Sequence, residues 1–253
     1  MGKHGPEFYD DETVFVTYMT GRETRIDSPN ETLEKPVFDE LLGDPTGLRI
    51  LDLGCGNAAF GLEALRQGCQ SYLGIDGSHR MIEAAKKKLA GTSGRVVCES
   101  METWQYPLRQ FDLVTSRLAF HYIREIEALF AKVYQALTAG GRLIFSVEHP
   151  VITSCDRAWQ TGGPRQDWIV DGYFETGPRT TNWMGGKVIK YHRTIEDYFT
   201  ALRAAGFVID ALRESRPQRA RFQDRATYER RKRIPLMLFF SVSRPLSTLP
   251  RST

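Results

Sequence analysis

The chain has 253 residues, of which 41% are hydrophobic and 26% are charged, and its formal net charge is +3. This size and composition predict a single α/β domain that buries its own core without disulfides or metal. The small net charge argues against nucleic acid as a partner. The longest apolar run, IPLMLFFSV, is too short to span a bilayer.

The cysteines indicate a reducing compartment. Cys55, Cys69, Cys98 and Cys155 form no CxxC pair and no His/Cys cluster, a usage typical of free thiols in the cytoplasm. The N-terminal stretch MGKHGPEFYDDE also lacks the apolar region of a signal peptide. We therefore expect a cytoplasmic protein, either monomer or homodimer, with no membrane partner.

Residues 8–47 are predicted to be mostly helical and to form a lid. The segment EFYDDETVFVTYM carries apolar residues at helical spacing. The segment NETLEKPVFDELLG begins at a candidate cap, Asn30, and ends near Gly43. We expect the polar stretch between them, GRETRIDSPN, to be a loop.

Residues 48–147 alternate between strand and helix patterns. The predicted strands are LRILDL, SYLGID, RVVCES, FDLVTSRLAF and GRLIFSV. The predicted helices are AAFGLEALRQG, SHRMIEAAKKKLAG with a cap at Ser78, and IREIEALFAKVYQALTAGG. This alternation predicts a parallel sheet with helices on both faces.

Residues 148–192 break the alternation and are predicted to be an insertion with short strands of its own, because they are too long for an ordinary loop. Their aromatic residues are Trp159, Trp168, Tyr173, Phe174, Trp183 and Tyr191. Residues 193–244 are then predicted to supply the helix TIEDYFTALRAAGF and two final strands, VIDALRES and IPLMLFFSVSR.

The stretch RPQRARFQDRATYERRKR, residues 216–233, is locally basic. A solvated helix face or a loop explains it most simply. A gate over an anionic substrate is a second interpretation. RNA binding is a weaker third one, because the stretch lacks the interleaved aromatic residues of a stacking surface.

The stretch DLGCGNAAFG, after the first strand, is predicted to bind a ligand. Gly54 and Gly56 let the backbone approach a ligand at a helix N-terminus, at the sheet edge where α/β proteins bind ligands. A P-loop is excluded, because GK[ST] is absent. A dinucleotide fingerprint stays open with Ala59 at its third glycine position, and Asp76 suits a ribose in either case. Asp52, inside the strand, favours a cationic ligand.

The order ILDLGCG, GID, SMETW, FDLVTSRLAFHYI and LTAGGRLIFSV closely resembles the class I S-adenosylmethionine (SAM)-dependent methyltransferases. More narrowly, NETLEKP, FSVEHP and VIKYHRTIEDYFTALRAAGF resemble bacterial small-molecule methyltransferases of this class, and the resemblance covers most of residues 8–242. It implies a Rossmann-like, seven-stranded, mostly parallel sheet whose sixth and seventh strands form an antiparallel hairpin. It also implies SAM as cofactor and S-adenosylhomocysteine as product.

The resemblance further implies roles for single residues. Asp52 and the backbone of Gly54, Cys55 and Gly56 would hold the methionine end of the cofactor, and Asp76 would bind both ribose hydroxyls.

The same resemblance implies an adenine site and a sulfonium site. The residues around the adenine would be Gly77, Met81, Ser100, Met101 and Glu102. Many relatives have an aspartate where Ser100 stands. Arg117 and Leu118 would pass under the sulfonium through their backbone. The side chains that could close over the cofactor are Tyr18 and Arg22 or Arg25, whereas Asn30 and Glu34 suit a helix cap and a first-turn acid.

Methyl transfer from a sulfonium is a direct displacement, so the enzyme mainly positions the acceptor and excludes water. A base is needed only if the acceptor must lose a proton. The candidates are His149, then His121, then His192, with Glu148 beside His149. The alternative for Glu148 and His149 is that they shape the turn after the fifth strand.

The aromatic residues predict a roof over a planar acceptor, or else a small satellite core. The candidate substrate residues are Tyr122, Trp168, Tyr173, Trp183 and Tyr191. A small, fairly apolar molecule methylated at O or N, or alternatively at C, is the expected acceptor. The rival interpretations are the same fold acting on tRNA or protein, a SAM-binding protein without turnover, and an NAD-dependent dehydrogenase.

Overall fold

The computed structural model describes residues 2–24, 27–155 and 168–246, with the side chains of residues 22–24 excepted. The strands in chain order are β1 (Arg49–Leu53), β2 (Ser71–Asp76), β3 (Arg95–Cys98), β4 (Phe111–Arg117), β5 (Leu137–Glu148), β6 (Gly177–Trp183), β7 (Gly186–His192), β8 (Val208–Glu214) and β9 (Met237–Ser243). The helices are α1 (Gly5–Tyr9), α2 (Glu12–Thr24), α3 (Lys35–Leu42), α4 (Ala59–Arg66), α5 (His79–Leu89), α6 (Ile126–Ala136), α7 (Pro150–Thr153), α8 (Ile195–Ala204) and α9 (Arg225–Arg231).

A seven-stranded sheet in the order β3-β2-β1-β4-β5-β9-β8 forms the centre of the molecule. Strands β1 to β5 are parallel, and β9 is antiparallel to both β5 and β8. This architecture confirms the predicted Rossmann-like fold with its antiparallel final pair. β6 and β7 form a separate antiparallel hairpin, which belongs to the segment predicted to be an insertion.

Helices cover both faces of the sheet, which explains why most residues of the central strands are buried, rather than every second one. In β1 the residues after Arg49 are all buried. Helix α5 shows how the sequence specifies its own boundaries. The Ser78 hydroxyl accepts a hydrogen bond from the Met81 amide, as predicted for a cap, and Met81, Ile82, Ala85 and Leu89 face the core.

The N-terminal segment differs from its predicted helices. EFYDDETVFVTYM forms two helices, because the Asp11 carboxylate accepts the Thr13 and Val14 amides and starts a new helix. The second helix, α2, runs to Thr24, into the predicted loop. The candidate cap Asn30 instead lies inside a π-helical turn, Asn30–Glu34, that leads into α3.

The end of α6 also differs from prediction. The helix stops at Ala136, and β5 begins at Leu137, within the segment predicted to be helical. Leu137 pairs with Phe111 of β4, and the ladder is irregular before it resumes at Arg142. The glycines of this segment, Gly140 (φ 78°) and Gly141, serve a bend in the strand rather than a helix cap.

The N-terminal segment packs on the β6–β7 hairpin. The Lys3 amide donates to the Lys187 carbonyl at 3.0 Å, and the Ile189 amide donates back to the Lys3 carbonyl at 2.9 Å. Phe8 and Val188 are buried together beside this bridge. Two parts of the chain that are far apart in sequence therefore form one unit at the edge of the sheet.

The basic segment 216–233 is folded onto the core. It forms a short 3₁₀ turn and α9, whose N-terminus is capped by the Asp224 carboxylate. Phe222 is buried in the core below it. None of the helices in the described ranges combines the length and apolarity that crossing a membrane requires.

Gly61→Ala tests the packing of α4 on β2. A Cβ atom at Gly61 would lie 2.2 Å from Cζ of Tyr72, so the added methyl group cannot be accommodated without moving the ring. A glycine-to-alanine change inside a helix ordinarily stabilises by roughly 0.5–1 kcal/mol. Here we expect a destabilisation of about 1–3 kcal/mol in urea unfolding. Arg66→Ala, at an exposed position of the same helix, is the control, and a stabilised Gly61→Ala variant would refute the contact.

Candidate active site

A cavity of about 1010 Å³ lies at the carboxyl edge of the parallel strands. Strand β1 is paired with β2 on one side and β4 on the other, so the strand order reverses here. That reversal is where open α/β sheets bind ligands. The predicted cofactor residues that line the cavity are Tyr18, Asp52, Gly54, Cys55, Gly56, Asp76, Gly77, Met81, Ser100, Met101, Glu102, Arg117 and Leu118. The side chain of Arg22 and the whole of Arg25 lie outside the described residues.

The glycine loop is tied to the end of β2. Gly54 and Gly56 have φ angles of 73° and 53°, and a Cβ atom at Gly54 would lie 2.4 Å from Cβ of Ala119. The Gly54 amide donates to the Ile75 carbonyl at 2.8 Å, and the Gly56 amide donates to the Asp76 carboxylate at 2.9 Å. A pyrophosphate would need such N–H groups for itself. Their engagement within the protein favours a cationic ligand over a dinucleotide.

Two carboxylates line the cavity from β1 and β2: Asp52 is buried, and Asp76 is half-buried. Asp52 accepts hydrogen bonds from the Tyr72 hydroxyl at 2.8 Å and the Thr115 hydroxyl at 2.9 Å. Burial nevertheless raises the pKa of Asp52 to about 6. Burial also raises the pKa of Asp76, although the Ser78 and Gly56 amides donate to its carboxylate. A positive charge in the cavity would stabilise the ionised form of both groups.

Arg117 and Glu34 form an ion pair in the cavity wall that the sequence did not predict. The Arg117 guanidinium donates to both carboxylate oxygens of Glu34, and the Ser146 hydroxyl donates to the same carboxylate at 2.9 Å. Burial opposes a charge on Arg117, but the Glu34 carboxylate outweighs it and raises the pKa of the guanidinium. Glu34 is thus a buried wall residue of the cavity at the end of the π-helical turn, and the prediction that it is a first-turn acid is wrong.

The other half of the cavity holds one of the three candidate histidines. His121 is 2% exposed and lines the cavity beside Tyr122. Burial lowers the pKa of His121 to about 4, so the ring is neutral at pH 7. Its Nδ1 accepts a long hydrogen bond, 3.4 Å, from the Glu148 amide. The proton of the neutral ring is therefore assigned to Nε2, which makes this histidine a donor.

Glu148 lines the cavity and forms an ion pair with Lys190, a residue that the sequence analysis did not single out. Nζ of Lys190 lies 2.5 Å from Glu148 Oε1, and the lysine side chain is only 2% exposed. The ammonium group also lies 5.1 Å from the Trp183 ring centroid and 5.9 Å from that of Tyr122. The carboxylate and the two ring faces together compensate a buried positive charge.

The structure does not bring His149 or His192 to the cavity. Nε2 of His149 lies 3.0 Å from Glu214 Oε1, and its Nδ1 accepts the Val151 amide and caps α7. His192 bonds the Thr153 hydroxyl at 2.7 Å and the Tyr173 carbonyl at 2.9 Å. Both nitrogens of each ring are thus bonded within the protein, and we withdraw both rings as candidate bases.

Four of the five aromatic candidates line the cavity: Tyr122, Trp168, Trp183 and Tyr191. Tyr173 does not. Its carbonyl binds His192, and its hydroxyl accepts the Ile195 amide at 3.4 Å. Of the two other aromatic residues of the insertion, Phe174 is 86% exposed, and Trp159 lies outside the described residues. Most of the aromatic candidates therefore line the cavity, whereas Tyr173 has a structural role.

The strand order and the cavity at its switch point define a Rossmann-like domain with a ligand site at the carboxyl edge. Residues 50–141 match the sequence model of a family described as "Methyltransferase domain". A crystal structure of an S-adenosylmethionine-dependent methyltransferase from Mesorhizobium loti is 34% identical, with a TM-score of 0.77. The alignment covers 83% of this chain and 97% of the Mesorhizobium loti chain.

Two further relatives were found. An uncharacterized protein of Haemophilus influenzae is 34% identical over 217 residues, which span 81% of this chain and 85% of the relative. A malonyl-[acyl-carrier protein] O-methyltransferase of Ilyobacter polytropus is 31% identical over 106 residues, or 41% of this chain and 39% of the relative. The chain belongs to the S-adenosylmethionine-dependent methyltransferases, and its cofactor is SAM.

Asp52→Asn tests the electrostatics of the cofactor half. The pKa of Asp52 is about 6 in the folded protein and ordinarily 3.8, so the native state binds the proton more tightly. Wild-type stability should therefore fall as pH rises from about 4 to about 7, by on the order of 3 kcal/mol relative to Asp52→Asn. The measurement is urea unfolding across that range.

Asp112→Asn is the matched control for Asp52→Asn. Its bond to Arg49 lowers the pKa of Asp112, so its contribution has the opposite sign. Wild-type stability relative to Asp112→Asn should rise as pH rises through the ordinary carboxylate range. Parallel pH profiles for wild type and Asp52→Asn would contradict the assignment.

Glu148→Gln tests the buried ion pair. Loss of the carboxylate leaves the ammonium of Lys190 sealed in the protein, and we expect a destabilisation of about 3–5 kcal/mol. Lys190→Met should cost less, because the side chain of Glu148 is 19% exposed and faces the cavity. The double variant should recover most of the loss in urea unfolding. Additive losses would show that the two residues do not depend on each other.

Proposed function

We propose that the enzyme transfers the methyl group of SAM to an oxygen or nitrogen atom of a small molecule bound beside the β6–β7 hairpin. One observation carries this proposal. A single cavity reaches from the carboxylates of Asp52 and Asp76 to His121 and Trp183. A volume of about 1010 Å³ is at the upper end of the usual range for ligand sites, which leaves room for an acceptor beside the cofactor.

We assign the cofactor to the acidic half of the cavity. When bound, SAM supplies an electrophilic methyl group on a positively charged sulfur. Asp76 would accept the ribose hydroxyls, while Asp52 and the Gly54–Gly56 backbone would face the methionine end. The raised pKa values of Asp52 and Asp76 support this orientation, because a cationic ligand compensates carboxylates that protein burial leaves poorly solvated.

We assign the acceptor to the aromatic half. Trp183 and Tyr122 present flat apolar surface there, which suits a small planar molecule. The neutral ring of His121 would donate a hydrogen bond that orients the acceptor. Glu148 is the carboxylate placed to take a proton where the acceptor must lose one. Most of the rate acceleration would come from positioning the acceptor in line with the methyl group and from excluding water from the cavity.

The basic segment 216–233 was the one feature that supported a macromolecular acceptor such as tRNA. Its helix α9 contributes Thr227, Arg230 and Arg231 to the cavity wall. A wall position supports a role toward a bound small molecule rather than toward an extended surface. The Ilyobacter relative is named for an acyl-carrier substrate. That substrate is no guide to the acceptor of this chain, because the similarity spans less than half of either chain.

Titration calorimetry with S-adenosylhomocysteine and with NADH tests the cofactor assignment. We expect S-adenosylhomocysteine to bind and NADH not to bind, because the amides of the glycine loop are bonded to Ile75 and Asp76. Asp76→Asn should weaken S-adenosylhomocysteine binding about 10- to 100-fold through loss of charge-assisted hydrogen bonds.

Asp10→Asn is the matched control for Asp76→Asn. The Asp10 carboxylate accepts hydrogen bonds from Ser78 and Arg80 at the start of the same helix, α5, but it does not line the cavity. Asp10→Asn should leave the affinity for S-adenosylhomocysteine within a few-fold of that of the wild type. If both variants lose the same affinity for S-adenosylhomocysteine, Asp76 acts by holding the start of α5 and not by binding the ribose.

A further inference from the structure

The basic segment directs one helical face into the cavity. Thr227, Arg230 and Arg231 line the wall, and their i, i+3, i+4 spacing places them side by side on α9. Arg225, in the first turn of the same helix, is exposed and is not part of the wall. The two arginines of the wall therefore form a local positive patch rather than a uniformly solvated charge run.

Contacts on two sides fix the orientation of this face. Phe222 is 4% exposed in the core, and Tyr228 packs against the same cluster. The carboxylate of Asp27, which lies between α2 and α3, accepts hydrogen bonds from the amides of Gln223 and Asp224 at 2.8 Å each. The helix is thus held between the sheet and the N-terminal segment with its arginine face toward the cavity.

Three acids of the cavity wall, and Asp224 at the start of α9, accept hydrogen bonds or ion pairs from other residues. Asp27 and Asp224 accept backbone amides. Glu148 is paired with Lys190, and Glu34 with Arg117. Asp224 also interacts electrostatically with Arg230.

The cavity is consequently polarised. Asp52 and Asp76 line it from β1 and β2, whereas Arg230 and Arg231 precede β9, which β4 and β5 separate from β1 in the sheet. A positively charged cofactor belongs at the acidic end. The opposite end offers guanidinium groups, whose planar donors match a carboxylate or a phosphate in a two-point bond.

We propose that the methyl acceptor is an anion, and that Arg230 and Arg231 bind its carboxylate or phosphate group. This inference rests on the proposed function, since it assigns the acceptor to the half of the cavity opposite the cofactor acids. The apolar part of the acceptor lies against Trp168 and Trp183. The charged group is the point of recognition, and a different atom, nearer His121, receives the methyl group.

Calorimetry with three probes of one shape tests the proposal: 1-naphthoate, 1-naphthyl phosphate and the neutral 1-naphthamide. Each is titrated into the full chain with and without saturating S-adenosylhomocysteine. We expect at least one anion to bind about tenfold more tightly than the amide. The tighter of the two anions identifies the group as carboxylate or phosphate.

Arg230→Gln should lower the affinity for the preferred anion about tenfold and leave the amide and S-adenosylhomocysteine unaffected. Arg231→Gln, made separately, should act in the same direction. Arg225→Gln removes the same charge from the exposed part of α9 and should change nothing. Circular dichroism and thermal unfolding of each variant establish that it is folded.

The proposal is overturned if the amide binds as tightly as both anions, if none of the three probes binds, or if Arg225→Gln weakens anion binding as much as Arg230→Gln. Failure of the proposed function has a separate signature. In that case S-adenosylhomocysteine does not bind, while the anion preference measured without it is unaffected.

Discussion

The bond between the glycine loop and the end of β2 is the constraint on which the site depends. One oxygen of the Asp76 carboxylate accepts the Gly56 amide and the other accepts the Ser78 amide, so one side chain joins the loop after β1 to the start of α5. Ile75 completes the junction by accepting the Gly54 and Cys55 amides. Between these bonds and the start of α4, the backbone is left-handed at Gly54, Gly56 and Ala58. A preformed loop of this kind loses little conformational entropy when it binds a ligand.

That junction also sets the sign of the charge the site prefers. Because the loop amides are bonded inside the protein, carboxylates rather than N–H donors give this end of the cavity its character, and Asp52 lies beside them with a raised pKa. The same carboxylates that are costly to bury in the folded chain become favourable partners for a cationic ligand. Stability and binding are therefore coupled through one charge, so part of the stability given up by burying Asp52 is recovered when the cofactor is bound.

The sequence predicts local features better than contacts between distant segments. The strands, the Ser78 cap and the glycine loop follow from residues within a few positions of one another. The pair of Glu34 and Arg117 joins residues 83 positions apart, and Lys190 reaches Glu148 across 42 positions; neither partner carries a local signal of burial. His149 was misjudged for the same reason. Its position after β5 is visible in the sequence, whereas the bond between its Nε2 and Glu214 is not.

The distribution of the site along the chain explains why family membership gives the cofactor but not the acceptor. The family match ends at residue 141, and within it lie the glycine loop, Asp76 and the end of β4. The half of the cavity proposed for the acceptor is built largely from segments outside that range: the N-terminal segment, the β6–β7 hairpin and α9. These segments support one another, since Lys3 bridges to the hairpin and Asp27 holds the loop before α9. Under this assignment, a change in any one of them would alter the half of the cavity proposed for the acceptor more than the glycine loop and Asp76, which allows one Rossmann-like core to serve different acceptors.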